Sequence, residues 1–258
     1  MHTEVVRRLS PEEEELAAKR EELARLEAEL ADRELALVSL KAELAAFEGL
    51  YLRRVGVLYA ELDEWNAKLA ELRAKQTDAP EAKTEAAEAR NQADESYSAA
   101  HGQAAEVQPF TPSSELRKLY REAAKRVHPD TASDENDRAR RERLMKQVNA
   151  AYAAGDEDAL RRILADFENS PDAVQGAGIG ADLVRVLRQL RQVRNRMGAI
   201  EIEVAKLSEA HIAKLKAKAD RAQIEGRDLL AQMATTVQGR INVAKQRLKS
   251  AEEENGGK

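Results

Sequence analysis

From Leu16 onward a large apolar residue recurs at every seventh position: Leu16, Leu23, Leu30, Leu37, Leu44, Tyr51, Leu58, Trp65 and Leu72. Partner positions are filled by Leu26, Leu40 and Phe47, then by Val55, Leu62 and Leu69, with Arg33 interrupting the set. A seam sustained over so many heptads predicts a coiled-coil arm, not an ordinary amphipathic helix. The steps from Phe47 to Tyr51 to Val55 are four plus four, which predicts a stutter in the heptad phase. At the start of the arm, Ser10-Pro11-Glu12-Glu13 predicts a helix N-terminus: a capping hydroxyl, a proline in the first turn and acids facing the helix dipole.

Thr77-Asp78-Ala79-Pro80 breaks this arm. A second helical stretch follows, from about Glu81 to Ala105, rich in Ala and poor in Leu. It can pack closely but buries little area. Gly102, Pro109 and Pro112 then punctuate the chain. Residues 113–169 read as a compact helical unit. One helix runs from about Ser113 to Val127, a polar loop from His128 to about Asn136, and a second helix to about Ala154. Gly155 suits a C-cap and Asp156 an N-cap for a last helix carrying Leu160, Ile163, Leu164 and Phe167. A further arm spans Asp182 to about Ser250. Its expected seam is Leu183, Leu187, Leu190, Met197, Ile200, Val204 and Leu207, then Leu215, Leu230, Met233, Val237, Ile241 and Leu248. The pattern is weak from Lys216 to Gly226, and the tail from Glu252 is expected to fray.

The division that follows is a first arm over 1–108 with its break near 77–80, a helical unit over 109–170, a Gly-rich linker over 171–181 and a second arm over 182–258. Gly176-Ala177-Gly178-Ile179-Gly180 has the glycines of a phosphate loop. It lacks the preceding strand that such a loop requires, so it reads as a hinge.

Charge changes this picture from two arms to a pair. Residues 11–106 carry 23 acidic against 12 basic side chains, and residues 182–250 carry 7 against 15. Arms of similar length and opposite charge favour pairing with each other over self-pairing. The expected fold is therefore all-α: a long antiparallel coiled-coil hairpin with the small helical unit at its tip. The same seams are compatible with a homodimer through the coiled coil. Arg185, Arg188, Arg191 and Arg194 form a basic stripe, but without interleaved aromatics to stack bases it reads as a flank facing the acidic arm, and nucleic acid is not expected as a partner.

Composition agrees with long helices: 34% of the 258 residues are charged and 3% aromatic. There is no cysteine, so disulfides and thiolate metal sites are excluded. The four histidines lie far apart with no metal-ligand spacing, and no nucleophile triad is present. No catalysis, metal or cofactor is expected. No apolar run reaches the length of a membrane span and no signal-peptide core stands at the start, so a cytoplasmic protein without a membrane partner is the expectation.

The candidate chemistry lies between residues 114 and 152. Leu116, Leu119, Tyr120, Ala123, Ala124 and Val127 form one apolar helix face, and Arg117, Lys118, Arg121, Lys125 and Arg126 form a basic one. The tripeptide His128-Pro129-Asp130 follows at once. Downstream, Met145, Val148, Asn149, Ala151 and Tyr152 keep a fixed helical spacing. In these features the chain resembles the second and third helices of the J-domain family, the DnaJ co-chaperones. The resemblance covers under a quarter of the chain. The paired-Tyr and Leu-Gly pattern of the family's first helix does not appear in Glu106-Val107-Gln108-Pro109-Phe110-Thr111. Phe110, the end of the Ala-rich helix near Tyr97 and the last helix around Leu160–Phe167 are the candidates to replace it. No Gly/Phe-rich region or zinc-binding module is present, which is similar to the class C members.

The resemblance implies a co-chaperone that docks a DnaK-type heat shock protein 70 chaperone and stimulates its ATP hydrolysis, with the arms setting client or location. It implies that His128, Pro129 and Asp130 form the docking loop, and that Arg117, Lys118, Arg121, Lys125 and Arg126 steer association with an acidic partner face. Tyr120 and Tyr152 read as core. The alternative is a scaffolding coiled-coil protein whose J-like tip is inactive.

Overall fold

The computed structural model describes residues 10–102, 110–132, 134–168 and 178–256, and every regular element among them is helical. The chain is all-α. Contacts divide it into two compact units, one of Met1–Ala42 with Phe110–Ser208 and the other of Glu43–Pro109 with Glu209–Lys258. Both arms therefore contribute to both units, and the J-like segment shares a unit with the first part of each arm.

In the first unit, helix α1 (Pro11–Tyr51) opens on a reciprocal capping box. Ser10 Oγ accepts from the Glu13 amide at 3.3 Å, and Glu13 Oε2 accepts from the Ser10 amide at 2.8 Å. Leu16, Leu23, Leu26, Leu30 and Leu37 of α1 are buried against Val186, Leu190, Val193, Met197 and Ile200 of helix α7 (Ile179–Glu209). The α7 seam runs through Val186 and Val193, and Leu187, expected within it, is exposed. Ion pairs line the two sides: Arg20 to Asp182 at 2.9 Å, Lys41 to Glu203 at 2.6 Å, Arg33 to Glu201 and Arg194 to Glu22. Residue numbers rise together along both helices, so α1 and α7 run parallel.

The rest of this unit is built by helices α4 (Ser114–Val127), α5 (Glu135–Ala153) and α6 (Glu157–Glu168). Ser113 caps α4, Asp134 caps α5 and Asp156 caps α6, each accepting an amide three residues on at 2.8–2.9 Å. Gly155 takes the left-handed conformation that ends α5, with φ +73°. Leu116, Leu119, Tyr120, Ala123, Ala124 and Val127 of α4 meet Met145, Val148, Ala151 and Tyr152 of α5 and Leu160 and Leu164 of α6. The wall missing from the sequence pattern comes from α1: Ala31, Leu35 and Val38 are buried in this same core. Phe110 packs edge-on to Tyr152 with ring centroids 5.4 Å apart, and Ser39 of α1 bonds the Tyr152 hydroxyl at 2.9 Å. Tyr97 is exposed and stacks on His101 instead, so it fills no part of that wall.

The second unit holds the end of α1, a π-helical turn (Leu52–Gly56), and helices α2 (Val57–Thr77), α3 (Pro80–Gly102), α8 (His211–Ile224) and α9 (Leu229–Gly256). The π turn falls where the heptad phase slips: the Val57 amide reaches back five residues to Leu52 O, and the inserted residue lets Val55 become fully buried. Gly56 sits close under Leu52: a Cβ there would meet Leu52 Cδ2 at 3.0 Å, so a larger residue needs the Leu52 side chain to shift. Asp78, with φ +50°, ends α2. Helix α3 then returns along α2. Ala60, Ala67 and Ala74 on α2 and Ala86, Ala93 and Ala100 on α3 are all buried at seven-residue intervals, and Arg90 bridges Glu64 and Glu71 at 2.7 and 2.8 Å. Small residues at heptad spacing let two backbones approach closely, so the Ala-rich stretch packs by proximity. On another face of α2, Leu62 is buried with Val237, Ile241 and Ala244 of α9. Arg54 pairs with Asp228 at 2.8 Å and Glu61 with Lys245 at 2.8 Å, again in parallel order.

Two expectations change here. The arms do pair with complementary charge, but within each unit they run parallel, where an antiparallel hairpin was expected. Helix α3 makes the return along α2 that the hairpin assigned to the second arm, and charge complementarity by itself carries no direction. Within the first unit the J-like helices pack along the side of α1, at Ala31, Leu35 and Val38. The second arm is also three helices. It breaks at Ala210 and again at residues 225–228, where Gly226 has φ +73°, and its last helix continues through Gly256. No helix among the described residues is long and apolar enough to cross a membrane.

Leu30 is almost fully buried in the α1–α7 seam, so Leu30→Ala is expected to lower unfolding free energy by about 2–5 kcal/mol in a denaturant titration. Ala67→Leu is expected to destabilise by about 1–3 kcal/mol although it adds apolar surface, because the site has no room. A gain in stability for Ala67→Leu would contradict close α2–α3 packing.

Candidate functional site

The His128-Pro129-Asp130 loop is a short 3-10 turn (Pro129–Thr131) between α4 and α5. Proline cannot extend α4 and forces extended backbone on the residue before it; His128 has φ −63° and ψ +131°. The turn closes with the Thr131 amide on His128 O at 3.1 Å and the Ala132 amide on Pro129 O at 3.2 Å. Arg141 of α5 ties it down, donating to Arg126 O and to Thr131 Oγ1 at 2.8 Å each while its Nε bonds Asp137 at 2.8 Å. Its guanidinium also lies 5.2 Å from the centre of the Phe167 ring of α6.

His128 is 3% exposed and Asp130 9% exposed. The Asp130 amide donates to His128 Nδ1 at 3.2 Å. An amide can only donate, so Nδ1 is an acceptor and the ring proton sits on Nε2. That N–H is 3.2 Å from Glu34 Oε1 on α1. Glu34, 4% exposed, also accepts from Arg196 Nε of α7 at 2.6 Å. Burial pushes the Glu34 carboxyl up, but the hydrogen bonds from His128 and Arg196 and the Arg196 charge outweigh it and hold the group below the usual carboxylate range. Gln189 of α7 donates to Thr131 O at 3.2 Å. Loop, α1 and α7 thus form one hydrogen-bonded assembly.

Asp130 has the weaker surroundings. Its oxygens lie 3.9 Å from His128 Nδ1 and 4.0 Å from Arg138 Nη2. Burial pushes its carboxyl up, and the nearby His128, Arg138 and Arg196 only partly offset this. Beside the loop a cleft lined by Pro129, Arg138, Val184, Arg185 and Arg188 opens to solvent.

The five basic residues of α4 are exposed along one face that leads to the loop. Arg121 pairs with Asp32 of α1 at 2.6 Å and Arg126 with Glu122 at 2.9 Å. Tyr120 and Tyr152 are fully buried; the Tyr120 hydroxyl donates to Asn149 Oδ1 at 2.8 Å, and burial pushes its phenol well up. On α7, Arg194 meets the acidic arm while Arg188 and Arg191 are exposed and Arg185 bonds Asp182 at 2.8 Å on its own helix.

Sequence reading did not find Glu34, Arg196, Gln189 or Arg141 as parts of the site. A signal existed for α1: Ala31, Leu35 and Val38 mark a second apolar stripe off the heptad seam, with Glu34 between them. No protein-family profile, curated protein or solved structure matches the chain.

The two buried carboxylates predict opposite stability effects. Glu34, with its pKa lowered in the fold, stabilises above its ordinary value of 4.5, and that contribution is lost as pH falls through its lowered value. Glu34→Gln should therefore melt below the native chain at pH 7, the gap closing in acid. Asp130, with its pKa raised, weakens the fold when charged. Asp130→Asn should melt a few degrees higher at pH 7, and this gain should vanish as pH falls through the raised value toward 3.8. Thermal melts of both variants between pH 3 and 7 provide the check.

Proposed function

We propose that the chain is a co-chaperone that docks a DnaK-type heat shock protein 70 chaperone and stimulates its ATP hydrolysis. The observation that supports this reading best is the coupling of a basic, exposed α4 face to a rigid His128-Pro129-Asp130 turn, backed by an α5 helix whose Asn149 and Tyr152 hold α4 in place. Arg117, Lys118 and Lys125 supply a positive field for an acidic partner face, which acts on the association rate and is screened by salt. Pro129, half-buried, and the neighbouring cleft give a partner an edge of the loop to reach. Asp130, once exposed, offers a carboxylate for an arginine, and His128 orients the turn through Nδ1. The arms set the client or the location, and the chain carries no catalytic group of its own.

One observation favours a second reading, a scaffolding coiled-coil protein whose J-like unit is inactive: His128 and Asp130 are both buried, His128 against Glu34 of α1.

Single-turnover ATP hydrolysis by DnaK-type chaperones separates the two. The native chain at saturating concentration is expected to accelerate hydrolysis, His128→Gln to abolish the effect, and Lys125→Glu to weaken it mainly at low salt. No acceleration with any of several such chaperones would overturn the co-chaperone reading. Equal acceleration by His128→Gln would overturn the role given to the loop.

A further inference from the structure

Docking as proposed needs the His128 ring and the Asp130 carboxylate within reach of a second protein, yet both are covered. Contacts from outside the J-like unit hold the turn. Glu34, which accepts from the Nε2–H, lies 94 residues before His128; Gln189, which donates to Thr131 O, lies 58 residues after Thr131. Arg196 holds Glu34 in place from α7. An isolated α4–turn–α5 would leave these polar groups to water.

The arrangement is also layered. Glu34 sits on α1 and Arg196 and Gln189 on α7, so separation of α7 from α1 removes two of the three contacts at once. Meanwhile Arg117, Lys118 and Lys125 stay exposed with the loop covered. An acidic partner face can therefore meet α4 before the loop is available.

Resting on the co-chaperone reading, we propose that α1 and α7 form a built-in inhibitor: Glu34, Arg196 and Gln189 hold the His128-Pro129-Asp130 turn closed, and a DnaK-type chaperone engages it only after this contact parts. If only one molecule in about a hundred is open, the apparent dissociation constant rises about a hundredfold over that of the open form. The basic face of α4 then governs encounter, and opening of the α1–α7 pair governs engagement.

The test uses the full chain and two readouts. Diethyl pyrocarbonate acylates accessible imidazoles, and peptide mass spectrometry compares His128 with His211, which is exposed. In the native chain His128 is expected to react at least about tenfold more slowly than His211. Glu34→Ala is expected to bring the two rates together and to raise ATPase stimulation at sub-saturating concentration at least about tenfold. Glu34→Gln keeps an acceptor for Nε2–H and is expected to leave His128 protected. Gln189→Ala touches no core side chain and should give a smaller rise in both readouts, which separates opening from unfolding.

Equal reactivity of His128 and His211 in the native chain would overturn the inhibitor. So would exposure of His128 in Glu34→Ala without any rise over a measurable native stimulation. Exposure of His128 in Glu34→Ala with no stimulation by any form of the chain would place the fault in the co-chaperone reading, and the inhibitory role would fall with it.

Discussion

The Glu34 carboxylate is the group on which the first unit depends. A charge almost fully removed from water is tolerated only when other groups replace its hydration. Here a ring N–H from the turn and a guanidinium N–H from α7 do so, at 3.2 and 2.6 Å. Removing either donor leaves a buried anion with half its partners. That requirement fixes where α1, α7 and the loop sit relative to one another inside the unit, and so fixes the parallel register in which Glu34 and Arg196 stand level.

Packing reinforces the same geometry. α1 presents two apolar stripes to two different partners. Leu16, Leu23, Leu30 and Leu37 face α7, while Ala31, Leu35 and Val38 enter the core of α4, α5 and α6. Glu34 lies between the stripes, at the line where all these elements meet. A segment of the first arm, far away in sequence, thus closes the core of α4, α5 and α6. A consequence is that the loop cannot be exposed without disturbing the arms, which couples stability in the arms to availability of the loop.

Much of this was legible in the sequence, and the failures have physical causes. Caps at Ser10, Asp156 and Gly155 were readable because capping is local chemistry. The stutter at Phe47–Tyr51–Val55 was readable as a phase slip, though not as a π turn. Buried Tyr120 and Tyr152 followed from helical spacing. Direction was not legible: opposite net charge matches two arms equally well in either orientation. The Ala-rich stretch that holds Ala86, Ala93 and Ala100 was read only as close packing, and its counterpart at Ala60, Ala67 and Ala74 was not read at all, because alanine carries little hydrophobic signal. Above all, Glu34 and Arg196 look like ordinary flanking charges until three-dimensional register brings them together beside His128.

The parallel register is the premise on which the covered loop stands, and it can be measured directly. The chain has no cysteine, so spin labels can be placed in pairs without a background. In the parallel arrangement Arg20 pairs with Asp182 at 2.9 Å, whereas Glu203 lies some 21 residues further along α7, about 30 Å away at 1.5 Å per residue. Electron-spin distance measurement on labels at 20 and 182 is expected to give a short distance, and labels at 20 and 203 a much longer one, of about 30 Å or more. The reverse order would show an antiparallel pair, would separate Glu34 from Arg196, and would contradict the account.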